Sequence, residues 1–307
     1  MNVLSLFDGL SAAQIALCRA GIVYKNYYAS EIDKYAIAVT RYNYPNTIQL
    51  GDVNNVNFAE FGKIDLLIGG SPCQGFSIAG KHLNFNDNRS KLFFKFVEAL
   101  ETTKPRYFLL ENVSMKKEWR DIITSYLGVE PVKINSAIFS AQNRIRLYWT
   151  NIPLREIPED KGIKLQDILE SGYTDREKSY CITAIYCNTG NLKDYFERGK
   201  RQLIYQIPRG NNKGGIKAVN GKTPSLTTSS WQYNNFLISK YGMRKLTLIE
   251  CERLQTIPDN YTKYGIFNGQ VKQISNTQRY KMIGNSFTVD VVAYILKGMN
   301  CATRNYY

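Results

Sequence analysis

A single histidine, His82, is all that the 307 residues contain, and the six cysteines at 18, 73, 181, 187, 251 and 301 form no Cys-x-x-Cys pair. Zinc sites draw on clustered His and Cys, so no metal is expected. Disulfide frameworks belong to short exported chains, so most of these thiols are expected in the core or idle. No apolar run approaches the length of a membrane span, and the N-terminus MNVLSLFDGL lacks the charged lead and cleavage site of a signal peptide. The expectation is a soluble cytoplasmic protein with no membrane partner. A GxGxxG loop is missing as well. Acids are scarce beside bases, 26 against 40, for a net charge of +14 and an isoelectric point near 9.4. Such an excess points to a polyanionic partner. Residues 161–240 hold 13 Lys/Arg against six Asp/Glu, half of the net charge, and from Arg198 to Lys222 there are seven bases and no acid.

What is present reads as alternating strands and helices. Short apolar runs at 3–7, 24–29, 64–68 and 107–110 predict buried strands, and helical patterns fall at 12–20, 35–42 and 91–100. Continuous apolar strands that alternate with helices predict an α/β fold, a mostly parallel sheet covered on both faces. Ligands of such sheets bind beyond the carboxyl ends of the strands. Asp8, Glu31, Cys73 and Glu111 each follow a predicted strand, which gathers them along one edge. From about residue 152 to 240 the chain turns rich in Gly, Asn, Tyr, Thr and Lys with weak periodicity, and it reads as loops and short strands. Pattern returns at 286–297, SFTVDVVAYILK, which predicts a buried helix after Gly284-Asn285.

FDGLSAAQ (7–14) occupies the first strand-to-helix turn with Gly9 as its one glycine. A pyrophosphate favours the positive end of a helix, and the acidic Asp8 would repel it there. A cofactor with positive charge and no phosphate suits the turn better, and S-adenosylmethionine is one. Glu31, 22 residues after Gly9, stands where an acid accepts from ribose hydroxyls. Asp52 is placed to accept from an adenine amino group. Cys73 sits in GGSPCQGFS (69–77), a loop stiffened by Pro72, where Gly75 lets a substrate come close. A pyrimidine is attacked at its 6-position by a soft nucleophile that adds as a thiolate and leaves afterwards. The ring accepts attack only when its N3 side is protonated or hydrogen-bonded, a role that suits Glu111. Arg144 and Arg146, in AQNRIRLYW, would hold the base oxygen or a phosphate and lower the thiol pKa.

PCQGFS, ENV, QNRIRLYW, RKLTLIECERLQTIPDNY (244–261) and GNSFTVDVVAYI (284–295) stand in the order and spacing of the DNA cytosine-5 methyltransferase family, and FDGLSAAQ resembles its cofactor loop. The likeness covers the chain outside about 152–240, where that family keeps its variable target-recognition region. Positions 10–12 read Leu-Ser-Ala, where bacterial members often carry FxGxGG; the FDG form is similar to that of the animal de novo enzymes. The resemblance implies an S-adenosylmethionine-dependent, Rossmann-like methyltransferase fold with a second, smaller domain: cofactor and catalysis in 1–155 and 275–307, target recognition in 156–274. It implies Cys73 as nucleophile, Glu111 at the cytosine N3 edge, and Arg144 and Arg146 as active-site arginines. Cofactor contacts are expected from Phe7, Asp8, Gly9, Leu10, Glu31, Ile32, Asp52, Val53, Asn285 and Ser286, with the C-terminal helix folded back against the first strand. Double-stranded DNA is expected to meet Pro72, Gln74, Ser77 and Lys81 near the nucleophile, and Arg198, Arg201, Arg209 and Lys213 in the basic stretch. Asn211, Asn212 and Gln232 are further candidates there, and GKTPSLTT (221–228) is expected to structure that region. A monomer of bacterial or phage origin, with or without a partner endonuclease, fits this picture. Two rivals stay open: a transfer-RNA methyltransferase on the same scaffold, and a catalytically silent DNA-binding relative. The base that removes the C5 proton is not assigned.

Overall fold

The computed structural model describes residues 1–71, 90–154, 156–174, 176–184, 186, 203–206 and 242–302. Strand β1 (Asn2–Leu6) leads through α1 (Ala12–Arg19) to β2 (Asn26–Ser30), and α2 (Lys34–Asn43) leads to the short β3 (Ile48–Gln49). Then come β4 (Leu66–Gly69), α3 (Ser90–Thr103), β5 (Tyr107–Val113), α4 (Lys117–Leu127), β6 (Val132–Asn135) and β7 (Ile145–Thr150). These strands form one sheet in the order β3-β2-β1-β4-β5-β7-β6. Strand β7 runs antiparallel to both its neighbours and the other pairs are parallel.

The register follows from side-chain alternation. Val3, Leu66, Ile68, Tyr107, Leu109 and Tyr148 enter one apolar cluster. Their chain neighbours Leu4, Leu67, Phe108, Leu110, Leu147 and Trp149 enter the other. A buried aliphatic side chain contributes ~1.5–3 kcal/mol, so a slip of one residue would exchange the contents of both cores and is heavily disfavoured. Helix α1, rich in alanine, packs close on the first face, and α3 and α4 cover the second.

Beyond the sheet lie α5 (Leu165–Ile168), the antiparallel pair β8 (Leu203–Gln206) and β9 (Gly242–Lys245), and α6 (Leu248–Leu254). The hairpin of β10 (Tyr264–Phe267) and β11 (Gln270–Gln273) follows, then α7 (Asn276–Asn285), α8 (Val289–Leu296) and α9 (Met299–Ala302). The buried helix expected over 286–297 is present as α8 and starts three residues later, at Val289, after the turn Ser286–Thr288. Helix α8 packs on α1, and its Val289, Val292 and Leu296 share one apolar cluster with Val3 of β1. The hairpin lies against α2, and Ile257, Tyr261 and Ile274 join the cluster that holds α1 and α8. Residues 257–274, read from the sequence as part of the recognition domain, thus include side chains that pack with α1, α2 and α8. Among the described residues no helix is long and apolar enough to cross a membrane.

Candidate active site

Strand β1 ends in a turn with three left-handed residues, Phe7, Gly9 and Ser11, at φ 58°, 60° and 60°. The Gly9 amide donates to Glu31 Oε2 at 2.7 Å. The amides of Ile32 and Asp33 both donate to Glu31 Oε1 at 2.8 Å. This carboxylate therefore ties the ends of the neighbouring strands β1 and β2 together and keeps lone pairs for a ligand. Asp33 caps α2, accepting from the amides of Tyr35 and Ala36, and pairs with Lys281 Nζ at 2.7 Å. Asp52 accepts from the Asn54 amide at 2.9 Å, and Val53 behind it is buried. The sequence predicts Asp8 facing a cationic ligand. Instead its carboxylate is turned into the protein, where Ser5 Oγ and Tyr27 OH donate to Oδ1 at 2.6 Å and Ser11 Oγ donates to Oδ2. The reason is the company of three hydroxyls from β1, the turn and β2, which a single sequence window does not reveal. Burial pushes the Asp8 carboxyl up to about 6, against the pull of those hydroxyl bonds.

The other half of the site stands on β5 and β7. Glu111 lies within β5 rather than after it, since β7 pairs along Glu111–Val113 and prolongs the strand. Arg146 Nε sits 3.1 Å from Glu111 Oε1, with both side chains largely buried. Burial, the largest single influence, would draw the Arg146 guanidinium down, but Glu111, Cys181 and Tyr148 together outweigh it and hold it above its ordinary value. Arg144 behaves differently. It precedes β7 and is almost fully buried. Its Nη1 donates to the Ile182 carbonyl at 3.0 Å, and its Nη2 to the carbonyls of Gly284 (3.3 Å) and Ser286 (2.8 Å). Burial, then the charge of Arg146, draws its pKa down. Two carbonyls left over at the end of α7 are thus satisfied by one side chain. Gln255 does the same for Ile283 and Ser286, at 3.0 Å each, and Gln142 Oε1 accepts from the Ile182 amide at 2.9 Å.

One cavity of about 1340 Å³ joins the two halves. Its wall includes Phe7, Asp8, Gly9, Leu10, Glu31, Ile32, Asp52 and Val53 at one end and Glu111, Arg144 and Arg146 at the other, with Asn285 and Ser286 beside them. Ile32 is 73% exposed there, an open apolar surface. Sequence reasoning did not single out Thr183, Ala184, Lys281 or Asp33, which also line it. The only signal for the first two was Gly284, an isolated glycine inside a helix. Pro72, Cys73, Gln74, Ser77, Lys81, Arg198, Arg201, Arg209 and Lys213 lie outside the described residues, as do Asn211, Asn212, Gln232 and residues 221–228. At Ser71, two residues before Cys73 in the chain, the buried Asn112 Nδ2 donates to Ser71 Oγ at 3.1 Å. Among the described residues no group of three or more His, Cys, Asp or Glu could hold a metal.

Asn112→Ala removes that tie. Its expected effect is a loss of ~1–3 kcal/mol of stability, because the buried Ser71 hydroxyl and its surroundings lose a polar partner. A urea titration checks it; a midpoint equal to the parent's would make the Asn112–Ser71 bond a local detail.

Comparison with known proteins adds the following. The family model for C-5 cytosine-specific DNA methylase matches residues 1–301. The type II methyltransferase M.NgoBI of Neisseria gonorrhoeae is 30% identical over 307 residues, covering 95% of this chain and 90% of that protein. The orphan methyltransferase M.SPRI of Bacillus phage SPR is 27% identical, covering 97% of each. The crystal structure of the S. pombe Dnmt2 methyltransferase superposes with a TM-score of 0.65 at 17% identity over the full length of both chains, a likeness of fold.

Proposed function

This chain belongs to the C-5 cytosine-specific DNA methylase family, and on that premise we propose that it moves a methyl group from S-adenosylmethionine to C5 of a cytosine turned out of duplex DNA. The observation that carries this reading is one continuous cavity among the described residues, lined by acidic loops at one end and the Glu111–Arg146 pair at the other.

The donor set supports the cofactor. Glu31, Asp33 and Asp52 stand at the β1–β2 end, and among the described residues the one cation in that part of the wall, Lys281, is engaged by Asp33. Such a surface repels phosphate and accepts a sulfonium cation and ribose hydroxyls. Ile32 offers an apolar face for a purine. Glu31 and Asp52 would hold the nucleoside, and Phe7, Gly9, Leu10, Val53, Asn285 and Ser286 would enclose it. When bound, S-adenosylmethionine supplies an electrophilic methyl group. At the other end Cys73 adds to C6 of cytosine as a thiolate, which turns C5 into a nucleophile. Glu111 engages the N3 edge, and Arg146 steadies Glu111. Removal of the C5 proton then expels the thiolate. Arg144, spent on backbone carbonyls, shapes the wall.

A stacked cytosine must leave the helix at a cost of a few kcal/mol. Contacts from the basic stretch between Arg198 and Lys222 are assigned to offset that cost, with phosphates giving affinity and base edges giving preference. We assign target recognition to the chain between the β7 region and α6, and catalysis to the sheet with α7 and α8. The names of the relatives fit either a type II modification enzyme or an orphan phage enzyme.

Bisulfite sequencing of unmethylated plasmid after incubation with the protein and S-adenosylmethionine, with transfer RNA in parallel, tests this reading. Protected cytosines in one short DNA context are the expected result and would also supply the recognition sequence. Protection confined to RNA would move the substrate to that class. Protection in neither, with DNA still bound, would make the chain a silent binding protein.

A further inference from the structure

Ser11 is fully buried and left-handed, at φ 60° and ψ 37°, in the turn that faces the cavity. That conformation is ordinarily left to glycine, because a Cβ crowds the backbone. A serine persists there only if its surroundings hold it. The holding contacts are all present. Ser11 Oγ donates to Asp8 and accepts from Thr40 Oγ1 at 3.1 Å, while the Ser11 amide donates to the Asp8 carbonyl at 3.1 Å. Asp8 is fixed in turn by Ser5 and Tyr27. On the outer side of the same turn the Gly9 amide is aimed at Glu31, and the Leu10 carbonyl accepts from Tyr261 OH at 2.8 Å.

We propose that Asp8 and Ser11 are positioning residues for the cofactor: their side chains lock the turn after β1 in its left-handed shape, so that its outer face and Glu31 meet the ligand while neither side chain touches it. This rests on the cofactor reading given above. A charged acceptor makes hydrogen bonds about twice as strong as a neutral one. Protonation of Asp8 would reverse the bond to Ser11 and loosen the turn. Groups facing Asp8 are Tyr24 and Tyr27 beside and on β2, Glu31 after it, and Tyr261 from the segment after α6. Burial pushes all three tyrosines up, so they stay neutral through the acid range.

Calorimetric titration of the purified chain with S-adenosylhomocysteine, from about pH 5.5 to 8, tests the proposal. The parent should lose affinity as pH falls through about 6, the value set by burial of Asp8. Asp8→Asn should bind ~10-fold more weakly at neutral pH, with a profile flattened through the acid range. Ser11→Gly should bind within about threefold of the parent, since glycine takes the turn without help, whereas Ser11→Ala should not. In the Ser11→Gly background Asp8→Asn should cost less than it does alone.

Thermal melts separate this from general damage. A carboxyl whose folded pKa is raised loses stability as pH rises from its unfolded value through its folded one. Asp8→Asn should therefore melt no lower than the parent at neutral pH while binding less ligand. Parent-like affinity in Asp8→Asn, or equal losses in Ser11→Gly and Ser11→Ala, would overturn the clamp. Failure of the parent itself to bind S-adenosylhomocysteine would remove the cofactor reading, and the clamp with it.

Discussion

Cys73→Ser is expected to keep the parent's affinity for duplex DNA and S-adenosylhomocysteine and to lose turnover by at least about 10³-fold. A thiolate is accessible near neutral pH and departs readily from carbon, whereas an alkoxide is neither easily formed nor easily expelled. Comparison with Glu111→Gln sharpens the test. The amide keeps roughly the carboxylate's shape beside Arg146 Nε but cannot engage the ring as an acid. The fall in kcat expected there is ~10²–10⁴-fold, the usual range for a general acid or base. A single turnover with radiolabelled methyl donor, read beside binding titrations, measures both variants. Near-parental methylation by Cys73→Ser would place the nucleophile elsewhere. A Glu111→Gln chain that changed only DNA affinity would make the Glu111–Arg146 pair an anchor rather than a participant.

Gly284→Ala is expected to be the most damaging small substitution among the described residues of the wall. A Cβ at this position of α7 would fall on the Thr183 carbonyl carbon and the Ala184 nitrogen, closer than the 3.0 Å that real Cβ atoms keep. Both are backbone atoms, with no flexible tip to swing aside. The segment is also tied down by Gln142 to the Ile182 amide and by Arg144 to the Ile182 carbonyl. Overpacking commonly costs ~1–3 kcal/mol, and against pinned backbone the upper end or beyond is expected. The urea midpoint should fall, and affinity for S-adenosylhomocysteine should fall with it, because Asn285 and Ser286 move when α7 is pushed off. A variant with the parent's midpoint and affinity would show that α7 and residues 183–184 do not approach so closely in solution.

Strands β1 and β4 were legible because they are buried on both faces, whereas the short β3, with Ile48 exposed, left no such mark. Runs such as Val3-Leu4 and Leu66-Leu67-Ile68 need no partner to be recognised. Strand β7 had no such signature, and β6 and α4 escaped notice altogether. Glu111 shows the consequence. The local pattern stops the strand before it, and only the ladder from distant residues 146–148 carries β5 onward. All the described candidates for catalysis and cofactor binding do line one cavity, yet two of them have partners that their types did not suggest. Arg144 and Arg146 look equivalent as an RxR pair, but one donates to the carbonyls of Ile182, Gly284 and Ser286 and the other meets a carboxylate. The inward turn of Asp8 depends on Ser5 and Tyr27, and Tyr27 lies 19 residues away on another strand. Charge and motif order name the participants; which way a side chain points is settled by neighbours that the chain brings together later.

The wall of the cavity draws on both ends of this sequence, Ser5–Leu10 near its start and Lys281–Phe287 near its finish. Arg144 and Gln255 both donate to carbonyls at the end of α7, and Arg144 also donates to the Ile182 carbonyl, so stretches far apart in the chain share one knot of hydrogen bonds. Loosening any one of them shifts the part of the wall that carries Asn285 and Ser286, so that part of the chamber behaves as one cooperative unit rather than as separate loops.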